Sequence, residues 1–284
     1  MNPATHDSLV TSIKRSDNAS GLDGLFDYTA SDVENESRIE VVKNGVVDQA
    51  LFEFNNSLEK RFVELFNTKT DLQLNFSEIY SFIHFSKVYK TDGKYDSAMG
   101  LFLSKLINNC YHSNKGHKFS FDLSDLPKLG YLMSNVRAKD NLPLELEIYG
   151  DVGTTFGLKS ENLKVIIHGN VKGYFFEQSD NNEAFILGNT GMDLGRDADN
   201  FNVVVGGDVN GQIAFCSNQS NYVVLGDINS SYTRFPLGTN IFVGGQHQGL
   251  DEYANDSHLF IGNKAQEHPT YKRMASEWKQ RFER

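Results

Sequence analysis

The sequence predicts a mainly β protein: a right-handed parallel β-helix of 19-residue rungs, preceded by a small α-helical unit and closed by a C-terminal helix. Three observations predict it. Gly150, Gly169, Gly188, Gly207, Gly226 and Gly245 follow one another at a step of 19 residues. Two apolar columns keep that step: Leu146, Val165, Ala184, Val203, Tyr222 and Ile241, then, two residues on, Ile148, Ile167, Ile186, Val205, Val224 and Val243. Outside the repeat, apolar residues recur instead at three- and four-residue intervals, the period of a helix face.

Residues 1–36 are rich in Ser, Asp, Asn and Thr without sustained periodicity. Ordering them buries too little surface to offset chain entropy, so a mobile polar leader is expected. In the helical unit, 37–117, Leu51, Phe54, Leu58, Phe62 and Leu65 form one amphipathic stripe, and Met99, Leu103, Leu106, Ile107 and Cys110 form another. The aromatic segment 76–90 between them is read as helix.

The β-helix is placed at 118–263. Side chains alternate across a strand, so two apolar columns two residues apart define one inward face. A return distance of 19 residues suits parallel strands, since hairpins come back sooner, and crossover chirality sets the right hand. Six or seven rungs at ~4.8 Å make a prism about 30 Å long. FSFDL (119–123) with LGYLM (129–133) forms a less regular first rung, and LFIGN (259–263) a last one slightly out of step.

After each column glycine comes Asp151, Asn170, Asn189, Asp208, Asp227 or Gln246. This reads as a solenoid corner, with Gly supplying positive φ and Asp or Asn tolerating the left-handed region. Asn162, Asn181, Asn200 and Gln219 mark a second corner, where stacked amides bond from rung to rung. In the last segment, 264–284, Pro269 suits a first helical turn, and Tyr271, Met274, Ala275, Trp278 and Phe282 fall on one stripe. That helix is expected to cap an end or cover a flank of the solenoid.

The segments LELEIYGDVG, KVIIHGNVKG, FILGNTG and NVVVGGDVNG resemble the Gly-rich (GXGXG-type) β-helix repeat at the C-terminus of glutamate synthase large subunits and in the C subunit of formylmethanofuran dehydrogenase. The likeness covers about half of the chain and is nearest to stand-alone, uncharacterised archaeal members of that family. It implies the β-helix fold and a spacer role. It carries no catalytic residue to any position here, and the second corner glycine is missing from the Asp227 rung.

A net charge of −10 and a pI near 5.3 work against binding nucleic acid or an anionic membrane surface. Two cysteines, no apolar signal region and no run of about 18 apolar residues point to a cytoplasmic protein without a membrane span. Cys110, His112 and His117 lack metal-site spacing and read as a helix end entering a loop. No metal or cofactor is expected.

Asp208 and Asp227 occupy equivalent positions in adjacent rungs, which places their carboxylates ~5 Å apart, a weak acid-pair candidate. The stronger reading is that each caps its corner turn. The outward positions between the buried columns read Glu147, Ile166, Phe185, Val204, Val223 and Phe242. The apolar run from Ile166 to Phe242 needs cover and is read as an interaction surface for the chain's own helices, a protein partner or a second copy. The expected function is therefore a non-enzymatic structural or protein-interaction protein presenting a rigid β-helix face. The alternative is a subunit of a larger oxidoreductase or a stand-alone enzyme acting on polysaccharide.

Overall fold

The computed structural model describes residues 41–229, 236–248 and 257–282. The leader expected at 1–36 lies outside the described residues. Four α-helices come first: α1 (Gly45–Leu58), α2 (Phe62–Asn67), α3 (Phe76–Ser86) and α4 (Tyr95–His112), with a 3-10 turn at Lys87–Tyr89. The strands are β1 (Lys118–Asp122), β2 (Leu144–Tyr149), β3 (Val152–Phe156), β4 (Leu163–His168), β5 (Val171–Phe175), β6 (Glu183–Ile186), β7 (Thr190–Leu194), β8 (Asn202–Val205), β9 (Asn221–Val224), β10 (Asn240–Val243) and β11 (His258–Ile261). Two helices, α5 (Asn263–Glu267) and α6 (Pro269–Phe282), follow.

The strands wind into a parallel β-solenoid. One sheet stacks β1-β2-β4-β6-β8-β9-β10-β11 and a second stacks β3-β5-β7. From β2 to β10 every pairing of the larger sheet joins residues 19 apart, as in Leu144 with Leu163 and Asn221 with Asn240. Single bridges from Thr190 through Val209 and Ile228 to His247 prolong the second face. Bridges linking Glu161, Asp180, Asp199, Asn218 and Leu237 form a third. Both inward columns are buried, from Leu146 and Ile148 at 0% exposed to Ile241 at 5%. At the ends the step changes, with Lys118 opposite Glu145 and Asn240 opposite His258.

Two expectations about backbone need correction. The first is the glycine column, where among Gly150, Gly169, Gly188, Gly207, Gly226 and Gly245 only Gly150 has positive φ, 119°. The others are required by close approach. A Cβ on Gly207 would sit 2.1 Å from Asn189 Oδ1, one on Gly226 2.4 Å from Asp208 Oδ1, and one on Gly245 2.1 Å from Asp227 Oδ1. The left-handed residues lie at the other corners, Asn162, Asn181, Asn200 and Gln219 among them, with φ of 59°, 54°, 51° and 48°. There Asn181 donates its amide to Asn162, while Asn200 turns to Asp180 Oδ1 at 3.1 Å.

The second correction concerns the stripe from Leu51 to Leu65, which belongs to two helices. Arg61 is extended (ψ 153°), and the Glu64 carboxylate accepts its backbone N–H and its Nε, starting α2 afresh. Segment 76–90 is helical up to Tyr89, as expected.

The helical unit shares one continuous hydrophobic core with the solenoid. Gly100 of α4 lies against Gly130, where a Cβ would fall 1.9 Å from the Gly130 carbonyl. Ser104 Oγ accepts the Met133 N–H at 2.7 Å, and Tyr111 donates to the Leu142 carbonyl at 2.6 Å while accepting the Lys139 N–H. The helix is thereby fastened to the first, irregular turn.

Candidate functional site

Among the described residues, the candidate sites include the outer apolar column, the corner acids and a lysine-lined cleft in the helical unit. The repeat builds the column directly. Ile166, Phe185, Val204, Val223 and Phe242 are all at most 3% exposed. Phe185, Val204, Val223 and Phe242 pack with Ala265 of α5 and with Met274 and Trp278 of α6, flanked by Phe260, Tyr271 and Phe282. Expected as an interaction surface, these side chains form an internal interface, because the chain's own C-terminal helix lies on them.

The fit has a simple geometry. Trp278 rests where Gly206 leaves no side chain, since a Cβ there would stand 2.2 Å from the indole. Tyr271 rests likewise over Gly244, 2.8 Å from a Cβ. These glycines follow β8 and β10, two strands apart. Seven helical residues rise ~10.5 Å and two strand spacings are ~9.6 Å, so one heptad of α6 matches two turns of solenoid. The indole N–H donates to the Ile186 carbonyl at 2.9 Å, and the Arg281 guanidinium lies 3.8 Å over the Phe185 ring.

Where the apolar column ends, Glu147 supplies a buried carboxylate, 3% exposed. Tyr149 donates to it and His168 Nε2 contacts it, both at 2.8 Å. The Tyr149 and His168 rings stack at 4.2 Å, with Phe282 edge-on to the imidazole at 5.1 Å. The 19-residue step stacks Tyr149 on His168 and puts Glu147 at the head of the outward column, while Phe282 is brought in by α6.

The corner acids form a ladder. Asn170 N–H donates to Asp151, Asn189 N–H to Asn170, Asp208 N–H to Asn189, Asp227 N–H to Asp208 and Gln246 N–H to Asp227, at 2.6 to 2.9 Å. Asp208 and Asp227 each serve the backbone of the following rung. The expectation that each acid caps its own corner turn is thus corrected: the acceptance runs between rungs. At the first rung the Lys128 ammonium, 2.7 Å away, holds the Asp151 carboxyl below its usual range.

The cleft lies between α1, α2 and α4. A cavity of about 660 Å³ is lined by Glu53, Lys60, Leu65, Lys69, Phe102 and Lys105, among others. A second, of about 530 Å³, lies across segment 68–71 and shares Lys69 and Lys105. Lys105 Nζ donates to the Leu65 carbonyl at 2.6 Å. Burial, and secondarily the Lys60 charge, lower its pKa to about 8. Lys60 Nζ donates to Thr68 Oγ1 at 3.3 Å, and Glu53 accepts from Gln49 and Thr70. Sequence reading missed this group, although a lysine four residues after buried Leu101 on α4 was a visible interruption of an apolar face.

Cys110 is fully buried beside these helices, and desolvation pushes its thiol up to about 11. α4 ends at His112, and among the described residues no three His, Cys, Asp or Glu side chains are placed to hold a metal. No described helix is long and apolar enough to cross a membrane. No family model, curated protein or solved structure matches the chain.

Proposed function

We propose that this protein is a non-enzymatic scaffold, a rigid solenoid that holds its helical unit and its uncovered faces for a protein partner. The observation that carries this is the use made of the repeat's polar groups. Each corner side chain from Asp151 to Asp227 accepts a backbone N–H of the next rung, so the Asp208 and Asp227 carboxylates are both engaged by backbone. The spacer role of the Gly-rich repeats that the sequence resembles agrees with this reading. So does the covered flank, since α6 removes the widest apolar strip from competition with a partner.

The remaining exposed apolar side chains favour the helical unit as the contact. Phe52 of α1 is 66% exposed and Val63 of α2 68%, while Met192, 56% exposed, stands on the second solenoid face. The experiment is crosslinking of the full chain in its native cells, with mass spectrometry. One partner, or a second copy, should crosslink to the helical unit or the second face, and Phe52→Glu with Val63→Glu should reduce its yield. A polysaccharide-degrading or redox activity in the purified chain that is abolished by Asp208→Asn, with folding intact, would overturn the reading.

A further inference from the structure

Among the described residues, Lys60, Lys69 and Lys105 have no carboxylate within ion-pair distance, although the chain carries a net charge of −10. Lys60 and Lys105 are partly withdrawn from water and Lys69 is exposed, and taking a charge out of water without a partner is costly. Lys105 instead offers its ammonium to a lone carbonyl, with a second lysine near enough to repel it. The two carboxylates of the cavity do not relieve this. Glu53 is already bonded by Thr70 and Gln49, and Asp71 is exposed on the segment that separates the two cavities.

The surroundings describe what fits. A cavity of about 660 Å³ is of the size that takes a small molecule. Leu65, Leu72, Leu101 and Phe102 give it an apolar wall opposite the amines. An anion there would restore the missing counter-charge and form charge-assisted hydrogen bonds.

We propose that the cleft between α1, α2 and α4 binds a small organic oxyanion, a carboxylate or a phosphate ester, held by Lys105 and Lys60 with Lys69 at its mouth. The site is independent of the scaffold reading and would stand if that reading fell. It gives the helical unit a ligand-sensing part beside the apolar residues proposed for partner contact. Because only protonated Lys105 attracts the anion, affinity falls as pH rises through about 8. The charged groups facing it are Lys60 and Glu53 from α1 and its end, and Lys69 and Asp71 from the intervening segment.

The test is calorimetric titration of the full chain with inorganic phosphate and, separately, succinate, below and above pH 8. Saturable one-site binding of either supports the proposal, and the better ligand identifies the anion class. Lys105→Met should weaken that binding about tenfold or more, the worth of one charge-assisted bond. Lys172→Met, at an exposed position of β5, should leave it unchanged. In parallel, the bound anion should slow acetylation of Lys105 relative to Lys172, read by mass spectrometry. If Lys105→Met does not fold, Lys60→Met carries the same expectation. Absence of saturable binding for both anions, or equal affinity in a folded Lys105→Met or Lys60→Met protein, would overturn it.

Discussion

The corner ladder of the solenoid and the lysine cleft of the helical unit treat polar groups in opposite ways. In the solenoid a side-chain oxygen of one rung meets an N–H of the next, and the same bond recurs from Asp151 to Gln246. In the helical unit Lys105 and Lys60 sit at a cavity without a carboxylate in ion-pair contact. The difference teaches where each region's constraints lie. A repeated contact must be satisfied identically in every turn, so it suits stability, whereas a single irregular cavity is free to hold unmatched charge for a ligand.

The largest expected effect lies where the regular region meets its irregular cover. Trp278→Ala removes a buried indole, its bond to the Ile186 carbonyl and the filler of the Gly206 notch. It should lower unfolding free energy by about 3 to 5 kcal/mol in urea titration. A loss under about 1 kcal/mol would mean that α6 is not bound as described.

Next comes the glycine column. Gly207→Ala puts a methyl 2.1 Å from Asn189 Oδ1 and 3.0 Å from the Gly188 carbonyl carbon, so the corner must shift. A cost of about 1 to 3 kcal/mol is expected. Unchanged stability would show the corner to be looser than the regular ladder implies.

Asp208 sharpens the comparison further. Asp208→Ala leaves the part-buried Asp227 N–H without its acceptor and should cost about 1 kcal/mol. Asp208→Asn keeps a carbonyl oxygen, as Asn170 and Asn189 already do in this column, and should be nearly neutral. If both substitutions cost the same, the ladder bond is not what the side chain contributes.

The smallest effect belongs to the helical unit. The folded pKa of Lys105, about 8, lies below the ordinary lysine value of about 10.4, so the unfolded chain binds more protons between those limits. Stability should therefore rise with pH across that window, and the difference between the protein and Lys105→Met isolates this one group from the other titrating residues. The effect is modest because Lys105 is only half-buried and water screens it. A pH profile identical in the variant would remove the desolvated amine from the account of the cleft.

Much of the fold was legible because a repeat states each rule several times over. The inward columns, the 19-residue register, the irregular terminal rungs and the stripe from Tyr271 to Phe282 all follow from spacing alone. Individual contacts were not. Gly206 and Gly244 stand outside the repeat's glycine column, and their purpose is visible only once Trp278 and Tyr271 are seen above them. Lys60 and Lys105 are 45 positions apart, and no periodicity connects them.

What the sequence by itself determined is the solenoid: alternation and an unvarying step dictate which side chains face inward, because strand pairing admits only one register that buries them all. What only the tertiary structure decided is the fate of everything facing out. Whether Phe185 to Phe242 meet a partner or the chain's own helix depends on where α6 lands. Whether three lysines stand apart or share a cavity depends on how α1, α2 and α4 pack. Both are contacts between residues far apart in sequence, and local pattern carries no term for them.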